Sequence, residues 1–385
     1  MARVLVVGSG AREHALAWGL TRSPEVDEVF CAPGNVGMAE LGECRPVVAT
    51  DPVAVAALAD ELAPDLVVVG PEDPLVAGVV DALTGAGHLT FGPTAAAAAL
   101  EGSKAWMKDV LASAEVPTAR HATFASGDEA AADAFLEMLP GLYVVKTDGL
   151  AAGKGVIVTE SIREARAAVR AYLSGEAFGD AGRVCVIEEG MTGPELSVFV
   201  LCDGRDAQPF ASAQDHKRVY DGEQGPNTGG MGAYSPVPFV PKETLDEVME
   251  RAIWPTLAEL RARGAEYRGV LYCGLMLTPE GPKVLEYNIR FGDPEAQVIV
   301  PRLESELFVH CYEWAAGRIE TPVVMRDDAC VAVWLACEGY PTAPRTGDVI
   351  SGLDAAAALP DVQLFHAGTR KDGDDIVTSG GRVIT

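Results

Sequence analysis

The sequence is short of positive charge. Its 385 residues carry 30 Lys and Arg against 56 Asp and Glu, a formal net charge of −26 at pH 7. A broad nucleic-acid surface needs a basic stripe, so this balance argues against that class of partner, though not against a small anionic ligand held by a local field. Long apolar runs are also missing. None approaches the eighteen or more residues of a membrane span, which argues against a membrane protein. The first eight residues run straight into a strand pattern and leave no room for a charged start, an apolar stretch and a cleavage site. The eight cysteines contain no C-x-x-C pair and no zinc-like spacing. Reduced, buried thiols in a cytoplasmic protein are the expectation. Internal repeats and long low-complexity linkers are absent as well, and alanine runs such as 95–99 and 355–358 read as helix filler.

Hydrophobic residues make up 48% of the chain and charged residues 22%, the balance of a soluble globular protein. At this length two to four domains are expected. The first hundred residues alternate strand and helix signals. Strand-like runs are RVLVVG, EVFCAPG, DLVVVGPE and LTFGPT, with helical stretches near 12–22, 53–62 and 74–86 between them. Such near-continuous apolar strands suit a parallel sheet covered on both faces. Three of the four strands end in the turns APGN (32–35), VGPE (69–72) and FGPT (91–94). In open sheets ligands sit beyond the carboxyl ends of the strands, so these turns are expected to line one crevice with Gly8-Ser9-Gly10.

That opening turn poses a question. Strand, glycine turn and helix usually mark a dinucleotide site, but the third glycine of G-x-G-x-x-G would fall at position 13, which is Glu13. A nicotinamide-dependent oxidoreductase stays open on this stretch alone.

Further along, VVKTDGLAAGKGVIV (144–158) is a strand, a glycine loop and a second strand. It is not a Walker A motif, which needs G-x-x-x-x-G-K-[ST] opening a helix. Glycines let backbone N–H groups approach phosphate oxygens, and Lys146 and Lys154 supply point charges. A plain glycine hairpin with solvated lysines would give the same pattern. In VCVIEEGMTGPELSVFV (184–200), Glu195 stands in a strand where it could accept ribose hydroxyls, or be merely exposed. QDHKRVYDGEQGPNTGGMGAYSP (214–236) sets His216, Lys217 and Arg218 beside many glycines, as in an anion site; His216 could equally be a packing residue. In VLEYNIRFGDPEAQ (284–297), Glu286, Asn288 and Arg290 have period-two spacing and project from one strand face. Carboxylate and amide oxygens suit Mg²⁺, which takes one or two protein oxygens plus substrate phosphates. Arg290 can clamp a carboxylate or a phosphoryl group. The bland alternative is the polar face of an edge strand. By the same spacing Leu285, Tyr287 and Ile289 are expected to pack into the core.

Together with GSGAREHALAW, LEGSKAWMKD, YCGLM and GYP…RTGDVISGL, these stretches run in one order over nearly the whole chain. On them the sequence resembles the phosphoribosylamine–glycine ligases (glycinamide ribonucleotide synthetases), ATP-grasp enzymes of purine biosynthesis. The resemblance implies an α/β and α+β multidomain fold: a Rossmann-like N-terminal substrate domain (1–103), an ATP-grasp domain (104–320) with a mobile lid at about 120–193, and a small C-terminal domain (321–385). Two departures stand out. Ala11 follows Gly10 where the family more often has glycine. Family members also usually run on by some tens of residues beyond the position of Thr385, which implies a truncated C-terminal domain.

The activity implied is the ATP-dependent joining of glycine to 5-phosphoribosylamine through glycyl phosphate, with Mg²⁺ or Mn²⁺. Another ATP-grasp carboxylate–amine ligase, or a non-catalytic nucleotide-binding regulator, is the alternative. By the same resemblance ATP would be held by Lys104, Lys146, the loop with Gly149, Gly153, Lys154 and Gly155, then Glu188, Glu189 and Met191 at the adenine and Glu195 at the ribose. Glu286 and Asn288 would hold the metal, and Arg290, Lys217 and Arg218 the reacting groups. Gly8, Gly10, Asn35, Gly70, Pro71, Glu72, Asp293 and Pro294 would border the other substrates. No membrane or nucleic-acid partner is implied, and the expected state is a monomer or weak homodimer in the cytoplasm.

Overall fold

The computed structural model describes residues 1–150, 155–177 and 183–385. The N-terminal region forms a five-stranded parallel sheet in the order Glu43–Cys44, Val26–Pro33, Ala2–Gly8, Leu66–Val69, Thr90–Phe91. Val4 and Val6 pack into one hydrophobic cluster, and Leu5 and Val7 into another. The alternation of a strand thus feeds a core on each face, which is why the run reads as continuously apolar. The helix Ala11–Thr21 follows at once, and Pro52–Leu62 is capped by Asp51, whose carboxylate accepts from the N–H groups of Val53 and Ala54. The single helix expected near 74–86 is two short ones, Glu72–Val76 and Val79–Gly85. Gly78 between them has φ +86°, a left-handed conformation that ends a helix. LTFGPT yields only the two-residue strand Thr90–Phe91.

The middle region is built on a six-stranded sheet ordered Gly281–Asn288, Arg268–Thr278, Glu195–Asp203, Ala207–Asp215, Gly232–Ser235, Cys330–Val333. Its last strand comes from beyond residue 320. The helix expected at 244–263 runs through Lys242–Val248, a π-helical turn Met249–Ile253 and Trp254–Ala262. Pro255 lacks an N–H and crowds the preceding turn, so the wider π turn accommodates it. The glycine-rich stretch 221–232 is more ordered than a loop, because Arg218–Tyr220 and Gln224–Asn227 pair as an antiparallel ribbon.

A separate four-stranded antiparallel sheet, ordered His121–Ala125, Val184–Glu189, Tyr143–Thr147, Val156–Thr159, carries the helices Glu129–Glu137 and Ile162–Leu173. It encloses its own small core around Phe124, Leu136, Val145, Val169 and Ile187. A unit with its own core joined at few places can move as a body. The C-terminal stretch adds two ribbons, Leu335–Ala336 with Arg382–Ile384 and Thr369–Asp372 with Asp375–Thr378. All eight cysteines are free and six are buried. Among the described residues no helix is long and apolar enough to cross a membrane.

Candidate functional site

The two main sheets, the small four-stranded sheet and the C-terminal ribbons meet around a cavity of about 950 Å³. Of the residues singled out in the sequence, Glu72, Lys104, Lys146, Gly155, Glu188, Glu189, Met191, Glu195, Lys217, Arg218, Glu286, Asn288, Arg290 and Asp293 line it. Gly8, Gly10, Asn35, Gly70, Pro71, Gly149 and Pro294 stand outside this lining. Gly153 and Lys154 lie outside the described residues.

At one end of the cavity Ser103 caps the helix Lys104–Ser113, and its hydroxyl donates to the Asp148 carboxylate at 3.0 Å. This fixes the start of the glycine loop against the helix that carries Lys104. Lys104 Nζ donates to the Gly149 carbonyl at 2.8 Å. Burial pulls the Lys104 ammonium below its ordinary pKa. Lys146, on the strand Tyr143–Thr147, donates to the Leu285 carbonyl at 3.1 Å and lies 2.8 Å from Glu188 Oε1. Glu188 Oε2 accepts from Lys108 Nζ at 2.9 Å. Burial works against the charge of Glu188, but the ammoniums of Lys146 and Lys108 overcome it and hold the carboxyl down at about 2. Glu188 therefore meets the cavity as a charged anchor for two lysines.

Along Gly281–Asn288 a bulge opposite Gly274 and Leu275 shifts the register between Val284 and Glu286. Tyr287 and Ile289 are buried as the spacing predicts, but Leu285 lines the cavity and Val284 takes its place in the core. The expectation for Leu285 fails because one extra residue on the bulged strand resets the alternation. Glu286 and Asn288 both face the cavity. Glu286 opposes burial with the charges of Lys217, Lys146, Lys104 and Arg290, and its carboxyl is held below the usual range. It makes no hydrogen bond or ion pair with any described residue. An ionised, half-buried carboxylate without a partner, beside the Asn288 amide oxygen, is a donor set that fits a hard divalent cation. Among the described residues there is no cluster of three or more His, Cys, Asp or Glu that could hold a metal by protein ligands alone. A bound ion would have to complete its shell from phosphate and water.

Arg290 is held as a fork: Nε donates to Glu72 Oε2 at 2.9 Å and Nη2 to Glu101 Oε1 at 2.8 Å, with Asn288 Oδ1 at 3.2 Å. Glu101 also accepts the Ile289 N–H at 2.9 Å. Arg290 and Arg12 together keep Glu72 well below the usual carboxylate range. Glu195 and Lys217, assigned to different substrates in the sequence, are an ion pair at 3.0 Å. Arg218 Nη1 donates to the Gly225 carbonyl at 2.7 Å and so braces the ribbon. Behind Lys217 lies a buried group: Tyr272 OH donates to Glu295 Oε1 at 2.9 Å, and Ser197 Oγ donates to Tyr272 OH at 2.8 Å. Burial, reinforced by Asp215, pushes the Glu295 carboxyl up to about 7.

The opening turn now has an answer. Glu13 is buried, accepts the Gly10 N–H through Oε2 at 2.7 Å, and holds Arg12 Nε through Oε1 at 2.5 Å. A Cβ on Gly8 or on Gly70 would stand 2.4 Å from Glu13 atoms. The side chain fills the space above the helix start where a dinucleotide pyrophosphate would sit, and its charge satisfies the helix end. Asn35 is fully engaged: its Nδ2 donates to the Ser9 and His366 carbonyls at 2.9 and 2.7 Å and its Oδ1 accepts from Met38 N–H at 3.0 Å. It shapes the crevice as a brace.

Lys108, Glu101, Glu295 and Arg382, in or beside the site, escaped the sequence reading. Lys108 and Glu101 sit one helical turn from, or just before, residues that were recognised. Glu295 lay in plain view in the FGDPE turn. Arg382 lines the cavity from the far end of the chain, donating to the Gly229 and Asp293 carbonyls at 2.6 and 2.8 Å and pairing with Asp293 Oδ2 at 3.0 Å. Its guanidinium lies 4.7 Å from the Trp334 ring centre.

With this geometry described, comparison with known proteins is direct. The chain matches the phosphoribosylglycinamide synthetase family in three parts: its N domain over residues 2–101, its ATP-grasp (A) domain over 102–296 and its C domain over 330–385. It is 49% identical to the phosphoribosylamine–glycine ligase of Streptomyces coelicolor, over 100% of this chain and 90% of that protein. It is 50% identical to the same-named ligase of Escherichia coli O6:H1, over 99% of this chain and 90% of that one. Among solved structures, the phosphoribosylamine–glycine ligase of Thermotoga maritima superimposes with a TM-score of 0.85 at 34% identity, covering 99% of this chain and 91% of that chain. The biotin carboxylase of Campylobacter jejuni, at 16% identity, 99% and 87% coverage and a TM-score of 0.74, shares the fold alone. The chain belongs to the phosphoribosylglycinamide synthetase family, ATP-dependent ligases of purine biosynthesis.

Proposed function

We propose that this cavity joins glycine to 5-phosphoribosylamine in two steps at the expense of ATP. A free carboxylate is a poor acyl donor because oxide would have to leave. In the first step a glycine carboxylate oxygen attacks the γ-phosphorus, an O–P bond forms, the bridging P–O bond breaks, and ADP departs. In the second the amine nitrogen attacks the carbonyl of glycyl phosphate, the C–N bond forms, the C–O bond to phosphate breaks, and the amine gives up a proton. Phosphoryl transfer of this kind is mostly positioning and charge neutralisation, and the described residues of the lining include neither serine nor cysteine.

Lys104 and Lys146 take the phosphates, with Gly149 and Gly155 beside them. Glu189 and Met191 border the adenine and Glu195 the ribose, while the Glu188 carboxylate, placed at the adenine by the sequence, is taken up by Lys146 and Lys108. Glu286 and Asn288 hold Mg²⁺ or Mn²⁺, which supplies charge neutralisation for the triphosphate. Arg290, locked by Glu72 and Glu101, orients the carboxylate of glycine, with Lys217 and Arg218 on the acyl-phosphate side. Asp293 and the turns after the N-terminal strands border the phosphoribosyl substrate. The small four-stranded sheet is the mobile lid, and the protein works in the cytoplasm as a monomer or weak homodimer.

The observation that carries this reading is the unpartnered Glu286 carboxylate set among Lys104, Lys146, Lys217 and Arg290 in one cavity. The test is ADP formation measured with each substrate omitted in turn. Release of ADP and phosphate that needs both glycine and phosphoribosylamine supports it. ADP release independent of either would assign the cavity to another reaction.

A further inference from the structure

One buried cation has no place in that account. Lys108 is 1% exposed and does not line the cavity. It lies one helical turn after Lys104, on the inner face of the same helix. Its Nζ donates to Thr118 Oγ1 at 2.7 Å and to Glu188 Oε2 at 2.9 Å. Thr118 in turn donates to the Val284 carbonyl at 2.6 Å, on the strand that carries Glu286. Glu188, 2% exposed, offers its other oxygen to Lys146 at 2.8 Å.

The charge count is uneven. Two ammoniums share one buried carboxylate, so the group keeps one positive charge that nothing within it cancels. His121, on the neighbouring strand, is pulled below its ordinary pKa by burial and adds no charge at neutral pH. Glu286 also faces Lys146, but its carboxylate is assigned to the metal. The surplus can be expressed only where the group reaches solvent or ligand, and of the two lysines only Lys146 does.

We propose that Lys108 is a positioning residue for nucleotide binding: by holding one oxygen of Glu188 it leaves that carboxylate half committed, so that the charge of Lys146 stays available to the triphosphate. The idea rests on the nucleotide assignment of Lys146 made above. Without Lys108, Glu188 would take Lys146 as its sole partner, and the pair would be neutral. A buried neutral pair attracts phosphate far less than a surplus cation does. Lys108 would thereby govern affinity for ATP without touching it.

A double-mutant cycle read by calorimetry with Mg-ATP tests this. Lys108→Met should raise the Kd about tenfold, equivalent to a loss of about 1.4 kcal/mol. Lys108→Met with Glu188→Gln removes the competing carboxylate as well, and should recover most of the lost affinity. Binding of glycinamide ribonucleotide, at the other end of the cavity, should not change in either. A structural role would instead make the double variant weaker than the single one. Should Lys108→Met fold poorly, Lys108→Gln keeps a donor while losing the charge, and the same rise in Kd is expected of it. Wild-type affinity in the neutral single variants, or no recovery in the double, overturns the proposal. Failure of the wild type itself to bind Mg-ATP would instead count against the nucleotide assignment.

Discussion

Two charged clusters border the cavity, and they are built on opposite plans. At the junction with the N-terminal sheet, the guanidiniums of Arg12 and Arg290 face the carboxylates of Glu13, Glu72 and Glu101. At the root of the small sheet, two lysines form ion pairs with one carboxylate, Glu188. The first cluster has more acid than base, and each guanidinium is pinned by two carboxylates in a planar fork. The second has more base than acid, and its cations are compact point charges. Arginine forks define geometry, while lysine leaves charge to spare. The difference suits a seat that must hold a small substrate in one orientation, beside a grip that must close on and release a triphosphate.

The largest effect should come from breaking the arginine cluster. Arg290→Met would strand Glu101, 9% exposed, and leave Glu72 with Arg12 alone; removing one partner of a buried pair typically costs about 3–5 kcal/mol. Urea unfolding should show that loss together with the disappearance of ligase activity; an unchanged midpoint would mean that water reaches the cluster freely. Arg290→Lys, with charge but no fork, should keep more stability than activity.

Glu286→Ala lies between the clusters and should behave in the opposite way. Its carboxylate has no protein partner to strand, so the melting temperature without ligand should hold. The stabilisation given by Mg-ATP, about 2.7 kcal/mol at a hundredfold excess over Kd for the wild type, should be lost. Normal turnover at limiting Mg²⁺ would move the metal elsewhere.

Lys146→Ala probes the lysine cluster. Glu188 keeps Lys108, so the fold should survive. A lost charged contact of roughly 1.5–3 kcal/mol should weaken ATP binding by about ten- to a hundredfold. The phosphoribosyl substrate should bind as before, and an equal loss for both ligands would make Lys146 structural.

The smallest effect concerns Glu295, which belongs to neither cluster. Its folded pKa of about 7 is above the ordinary 4.5, so the folded state holds a proton that the unfolded chain releases earlier. The stability this contributes is complete below about pH 4.5 and is lost as pH rises through 7. Glu295→Gln mimics the protonated form and keeps an acceptor for Tyr272. At pH 8 the variant should be more stable than the wild type, with no advantage at pH 4.5. A variant less stable at both values would show that the ionised form is the one the fold prefers.

The sequence made some of this legible and hid the rest for physical reasons. The parallel N-terminal sheet could be read because burial on both faces leaves an unbroken apolar run. Glu286, Asn288 and Arg290 could be read because a strand has period two. Leu285 could not, since a bulge interrupts that period without any mark in the residues around it. Lys108 had a signal, the four-residue spacing from Lys104 on one helix, but its meaning depends on Glu188, 80 residues away. Arg382 had none: two of its acceptors are the Gly229 and Asp293 carbonyls, which carry no residue identity, and its ionic partner, the Asp293 carboxylate, lies 89 residues away. Glu13 was visible as a missing glycine, but only packing shows that its side chain occupies the vacated space.

The brace at Asn35 bears on the order in which the chain becomes competent. One amide spans 331 residues to reach the His366 carbonyl, and His366 N–H returns a hydrogen bond to His14 at 2.9 Å. On a ribosome adding about 5–20 residues per second, that partner is made roughly tens of seconds after the loop it steadies. The N-terminal sheet can be paired and packed long before then. Its crevice, however, takes final shape only when the last ribbons dock, so a nascent chain released early would carry a folded sheet with an unfinished mouth.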